Sequence, residues 1–170
     1  MEGEGWALEA VTTPGHTANH MTYALKGKDV LFAGDHVMAW STSIVAPPDG
    51  AMSDYMNSLQ KLARRSEKTY FPGHGSEIPD ALRFVKYYIE HRKARETSIL
   101  HRLAKGESDI PTLVRAIYIG IDPRLVGAAG LSVLAHLEDL VARGVVETQG
   151  APSIAGVYRL AGAGARLPPG

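Results

Sequence analysis

The chain has 170 residues, 45% of them hydrophobic and 21% charged, and its 18 basic side chains balance 18 acidic ones. That composition excludes a wholly disordered chain and suits one domain, or a domain with a small appendage, in which about two thirds of the unfolded surface can be buried. With no cysteine, disulfides, thiolate nucleophiles and sulfur-held metals are excluded, so any metal must rest on His and carboxylates.

The first residues, MEGEGWALEAV, lack the basic start and apolar stretch of a signal peptide, and no run approaches eighteen consecutive apolar residues. No membrane span is expected, and the cytoplasm is the default location. Residues 7–12 (ALEAVT) read as a strand running into TPGHT. Residues 21–26 and 29–33 read as two more strands, joined by a tight turn at Gly27-Lys28. Residues 34–52 are irregular, with Pro47-Pro48-Asp49-Gly50 as a turn signal.

Ser53 is placed to cap a helix over 54–66, with Met56, Leu59, Leu62 and Ala63 as its apolar stripe. Residues 69–72 (TYFP) read as a buried strand ending at Gly73-His74-Gly75. A long helix follows over about 80–105, with Leu82, Val85, Ile89, Ile99, Leu100 and Leu103 on one side and Gly106 as its stop. Its middle, His91 to Thr97, is almost wholly polar and reads as a solvated or bridging stretch.

The remainder reads as a small separate domain. Residues 111–119 form a helix with Pro111 in its first turn, and Pro123 opens another piece, expected to break near Gly127 or Gly130. Residues 131–143 are amphipathic, and residues 145–149 and 156–160 are strands around a turn. Helix–helix–helix–strand–turn–strand is the order of a winged helix. The domains predicted are therefore 1–79, a connecting helix 80–106, a winged-helix-like domain 107–160 and a loose tail 161–170. The charge is uneven along the chain: residues 1–80 hold 6 basic and 10 acidic side chains, and residues 81–170 hold 12 and 8. A net of +4 in the second part permits a polyanionic partner and does not demand one.

Three segments share one design: Thr13-Pro14-Gly15-His16-Thr17, Ala33-Gly34-Asp35 and Pro72-Gly73-His74-Gly75. Each is a strand end at which glycine lets the chain turn sharply beside a side chain able to bind metal. Two imidazoles and a carboxylate suit Zn²⁺, Fe²⁺ or Mn²⁺, and a carboxylate can bridge two cations. Two cations sharing a water can bring its pKa towards neutrality. By spacing alone these fragments also fit ordinary turns.

TPGHT, AGD and PGHG, in that order, together with GHTANHM, SDYMNSL, YFPGHG and YYIEHRKARE, resemble the C-terminal half of the metallo-β-lactamase fold. More narrowly, they are similar to glyoxalase II-like hydrolases close to the β-lactamase-like protein 2 family, over about residues 7–160. The resemblance implies an α/β (layered α+β) architecture: half of an αββα sandwich followed by a winged-helix-like domain. It implies two divalent metal ions, zinc foremost, with His16 on the first, Asp35 bridging and His74 on the second. It also implies a metal-bound water as the nucleophile, so no catalytic side chain is expected. The family's H-x-H-x-D-H motif, which supplies the other ligands, is absent: the histidines are 16, 20, 36, 74, 91, 101 and 136. The chain therefore reads as an incomplete and inactive portion of a hydrolase, one that needs its missing half, associates with itself or is partly molten over residues 1–78.

Among the other histidines, His20 divides evenly between substrate contact and surface imidazole. His36 reads as structural, Tyr55 as a core contact, His91 and Arg92 as a solvated helix face, and His101 and His136 as structural. The implied reaction is hydrolysis of a small-molecule ester or thioester. Single-stranded RNA cleavage by the same machinery is an alternative, although residues 37–52 contain Trp40 and no Lys or Arg. A non-enzymatic winged-helix interaction module is a third. Against DNA binding, residues 128–143 offer only Arg143 as a basic side chain, beside Glu138 and Asp139.

Overall fold

The computed structural model describes residues 1–162; most of the tail foreseen over 161–170 lies outside the described residues. These fall into two compact units whose boundary lies inside the long helix, Met1–His91 and Arg92 onward.

The first unit is built on a five-stranded sheet, β1 (Glu2–Gly3), β2 (Trp6–Thr12), β3 (Met21–Leu25), β4 (Val30–Gly34) and β5 (Thr69–Pro72), neighbouring in that order. The pairs from β1 to β4 are antiparallel, and β4–β5 is parallel. A parallel step needs a crossover, and the connection carries helix α1 (Met52–Leu62). The strand β4, VLFAG, is apolar at every position but its final glycine, the pattern of a strand covered on both faces. One face is indeed closed: Ala24, Leu31 and Tyr70 are cross-strand neighbours and fully buried. On the other face the row Ala10–Tyr23–Phe32–Phe71 runs in register across four strands, and Phe32 and Phe71 remain 42% and 38% exposed. The expectation of a wholly buried strand at 69–72 therefore holds for Tyr70 and not for Phe71.

Helix α1 starts earlier than its sequence signals suggest. Ala51 is the N-cap, without a side-chain cap, and Ser53 sits inside the first turn. The Ala51 amide is held by the Gly15 carbonyl at 3.0 Å, a tertiary bond that the local pattern does not show. The buried stripe is Met52, Tyr55, Ser58, Leu59 and Leu62, so Met56 and Ala63 are only half-buried. Lys61 Nζ donates to the Thr12 carbonyl at 2.6 Å, and Tyr70 OH donates to the Leu62 carbonyl at 3.5 Å, tying the helix to the sheet.

Helix α2 spans Ala81–Leu103. Ala81, Val85 and Tyr88 are buried within the first unit, whereas Leu82, expected on the same side, is 43% exposed. The polar middle is not a uniformly solvated face: Arg92 is 3% exposed, and its Nη1 donates to Ser132 Oγ at 3.3 Å.

The second unit comprises β6 (Ser108–Asp109), α3 (Ile110–Ile117), a 3₁₀ turn at Pro123–Leu125, α4 (Val126–Ala142), β7 (Val146–Thr148) and β8 (Val157–Leu160). Its sheet order is β6–β8–β7. Asp109 caps α3 by accepting the Thr112 amide at 2.9 Å, and Pro111 occupies the first turn. Its core joins Ile99, Leu100 and Leu103 of α2 to Ile110, Leu113 and Val114 of α3, Val133, Leu137 and Leu140 of α4, and Val146 and Tyr158. Helix α4 runs unbroken through Gly127 and Gly130. Gly130 is buried, and a Cβ there would lie 3.6 Å from the Ile110 and Ile154 side chains; burial of the helix in the core outweighs a glycine penalty of about 1 kcal/mol. With the preceding turn, Pro123–Ala142 is long and apolar enough to cross a membrane by length and composition alone, and half of its most apolar stretch is buried inside the molecule.

Candidate metal centre

The three strand-end turns are built by the first unit's own packing. Gly15 has φ 129°, and a Cβ there would fall 2.3 Å from the Tyr55 backbone, so only glycine lets the His16 turn rest on α1. Ser58 Oγ donates to the Pro14 carbonyl at 2.8 Å and fixes the same turn.

His16 Nδ1 lies 2.6 Å from the Ile44 carbonyl. A carbonyl only accepts, so Nδ1 carries the proton and the neutral ring's Nε2 keeps its lone pair, the arrangement usual for a metal-ligating imidazole. Asp35 Oδ2 lies 3.6 Å from His74 Nε2. Asp35 Oδ1 is buried and has no hydrogen-bond donor among the described residues. A buried carboxylate oxygen with no donor is costly, and a cation is one of its ordinary explanations. Gly73 keeps the space beside it open: a Cβ there would sit 2.7 Å from Oδ1.

His20 stands between these groups. Its Nε2 accepts the Asp35 amide at 3.3 Å, which leaves Nδ1–H to donate to Thr13 Oγ1 at 3.0 Å. Its ring is 6.2 Å from that of His16, edge-on, and 5.5 Å from that of His36. Burial holds its pKa below the usual imidazole range, and the His16 ring adds to the effect; the Asp35 charge opposes it. His36 is fully buried, with its ring 4.5 Å from Tyr55, whose hydroxyl donates to the His36 carbonyl at 2.8 Å.

The structure therefore brings Asp35 and His74 together and joins them to His16 through the His20 ring. Among the described residues no three His, Asp or Glu side chains are gathered closely enough to hold a metal by themselves. The donor chemistry, the His16 tautomer and the orphaned Asp35 oxygen fit a divalent cation, and the number of gathered ligands falls short of a complete sphere.

Sequence reasoning missed the part played by residues 35–45. Ser43 Oγ donates to the Asp35 carbonyl, and lies 3.0 Å from the His36 carbonyl. Tyr88 OH bonds the Met38 carbonyl at 2.7 Å and also the Ser41 carbonyl, while the Met38 amide lies 3.1 Å from the same oxygen. The available signal was Trp40 in a stretch, residues 37–52, whose only charged side chain is Asp49.

Residues 1–74 match the Metallo-beta-lactamase superfamily, and residues 110–154 match the Beta-lactamase associated winged helix domain. The chain belongs to the metallo-beta-lactamase superfamily. It is 34% identical over 145 residues to the Beta-lactamase-like protein 2 homolog of Caenorhabditis elegans, a match covering 85% of this chain and 48% of that protein. To the Drosophila melanogaster protein of the same name it is 31% identical, covering 83% and 48%. Among solved structures it is similar to a metallo-beta-lactamase family protein from Thermus thermophilus, with a TM-score of 0.80 and 26% identity, covering 94% of this chain and 51% of that one. The chain thus spans about half the length of the curated relatives it matches.

Proposed function

We propose that this superfamily member supplies one side of a divalent-cation hydrolase centre acting on esters or thioesters, with His16, Asp35 and His74 as its ligands. The observation that carries the reading is the buried, donorless Asp35 Oδ1 beside His74. When bound, the cation polarises the substrate carbonyl and acidifies water, with zinc the favoured ion and iron or manganese the alternatives. The protein's own groups hold that arrangement. The Ile44 carbonyl fixes the His16 ring, His20 anchors the Asp35 backbone, and Ser43 and Tyr55 fasten the residues that follow.

The remaining ligands come, on this reading, from chain other than the described residues: the rest of a longer protein, or a second copy. The open row of Tyr23, Phe32 and Phe71 supports it, because an aromatic sheet face of this kind calls for a second layer. An RNA substrate is disfavoured by the absence of Lys and Arg from residues 37–52. DNA contact by the winged helix is disfavoured because Arg143, Arg124 and Arg159 are engaged by Glu96, Asp122 and Glu147, each at 2.6 Å.

Zinc competition against a chromophoric chelator tests the reading. The wild-type chain should bind weakly, and Asp35→Asn, His74→Ala and His16→Ala should each lose about tenfold or more in affinity. Equal affinity in wild type and all three variants would overturn it. The chain alone should show no metal-dependent thioester hydrolysis; clear turnover by a pure sample would refute the claim that ligands are missing.

A further inference from the structure

Trp40 is 72% exposed, among the most exposed large apolar side chains of the molecule, yet its backbone is anything but loose. The Tyr88 hydroxyl, itself buried, bonds the chain on both sides of it, at Met38 and at Ser41. Ser43, two residues further on, is tied to the Asp35 and His36 carbonyls. Val37 and Val45 bracket the loop and are fully buried. An aromatic ring held out to solvent by a fixed backbone is preorganised for contact, since little freedom remains to be lost on binding.

Its position gives the contact a meaning. The indole lies against Gly75, the residue after His74: a Cβ on Gly75 would fall 2.8 Å from Trp40 Cδ1. Ile44, whose carbonyl holds His16, is 48% exposed on the same loop. The loop thus carries an apolar lip from the His16 side to the His74 side of the candidate centre. The one charged residue in 37–52, Asp49, accepts the Ala18 amide at 3.0 Å. A lip with no cation offers nothing to a phosphate backbone and favours an uncharged apolar group.

We infer that Trp40, with Ile44, is a specificity-determining platform that takes the acyl chain of the substrate, so that the centre selects long or bulky apolar acyl groups over short ones. This rests on the ester and thioester reading above, and binding alone can separate the two. The probes are S-octyl- and S-ethyl-N-acetylcysteamine, non-hydrolysable thioethers, titrated into the Trp6→Phe chain so that Trp40 is the one indole. The octyl probe should shift Trp40 emission to the blue and bind at least tenfold tighter than the ethyl probe. By calorimetry, Trp40→Ala should lose that tenfold preference and Trp40→Phe should retain most of it, with thermal melting confirming that both fold. Equal affinity for the two thioethers overturns the inference, as does an unchanged preference in Trp40→Ala. Quenching by a single-stranded decaribonucleotide without preference for the octyl probe overturns it in favour of base stacking. His74→Ala, measured alongside, should keep the octyl preference while losing zinc, so a wrong metal assignment and a wrong acyl assignment give different patterns.

Discussion

On the proposed reading, His20 serves the centre without being one of its ligands. It accepts from the Asp35 amide and donates to Thr13, which is fully buried. Replacing it with Ala strands both groups, and His20→Ala should cost about 1–3 kcal/mol in urea unfolding while weakening zinc uptake through a displaced Asp35. A surface imidazole would give neither effect. Tyr70 offers a pH-resolved counterpart. Burial, helped by the Glu67 charge, pushes its pKa up to about 12 from an ordinary 10.0. Below pH 10 both folded and unfolded chains keep the proton, so nothing changes there. Above it the unfolded chain ionises first, and stability falls by roughly 1.4 kcal/mol per pH unit until about the folded value. Chemical denaturation between pH 9 and 12 should show a shallower slope in Tyr70→Phe than in wild type, the remainder coming in part from Tyr158, whose pKa burial also raises. At this scale the sequence was readable where glycine marked a turn beside a metal-capable side chain, at His16, Asp35 and His74. It was silent on His20's two bonds, because both partners arrive from other strands.

Elements were legible in kind and less so in detail, for physical reasons that differ from case to case. The helix at 52–62 was expected from 54 because Ser53 is a good cap, but the Gly15 carbonyl captures the Ala51 amide and starts the helix earlier. The buried stripe then rotates to Met52, Tyr55, Leu59 and Leu62. The polar middle of α2 concealed a buried Arg92, since charge in a sequence does not say whether a hydroxyl such as Ser132 awaits it. The sequence reads as irregular over 34–52, and residues 35–45 indeed carry no helix or strand, yet they are fastened by Ser43, Tyr55 and Tyr88. That fastening is testable. Tyr88→Phe removes the bonds to Met38 and Ser41 and keeps the ring's packing. The Met38 amide should exchange with solvent at least tenfold faster, with a loss of about 1–3 kcal/mol in stability. Unchanged Met38 exchange would mean that the loop is held by its buried valines alone.

At the scale of the molecule, each compact unit has a different relation to its own core. The first buries one sheet face under helices and leaves Tyr23, Phe32 and Phe71 in a row on the other. That imbalance could be anticipated from a strand as uniformly apolar as VLFAG, and it agrees with a chain spanning about half of its relatives. The second unit is closed. Its cluster of buried side chains lies entirely between Ile99 and Tyr158 and draws on α2, α3, α4 and both long strands of its sheet. The sequence carried this pattern well because helix caps, prolines and strand turns are local signals, with Asp109 and Pro111 at the start of α3 as the example. A polypeptide of residues 92–162 should therefore unfold cooperatively, with dispersed amide resonances and a single sigmoidal transition. In that setting Leu137→Ala, at a fully buried position, should cost about 2–5 kcal/mol. Residues 1–91 taken alone should instead associate in sedimentation or bind dyes that report apolar surface, and Phe32→Ser with Phe71→Ser should reduce both signals. If the second unit melts without cooperativity when separated, its core depends on more than the side chains it gathers, and the division of the chain into a closed unit and an open one fails.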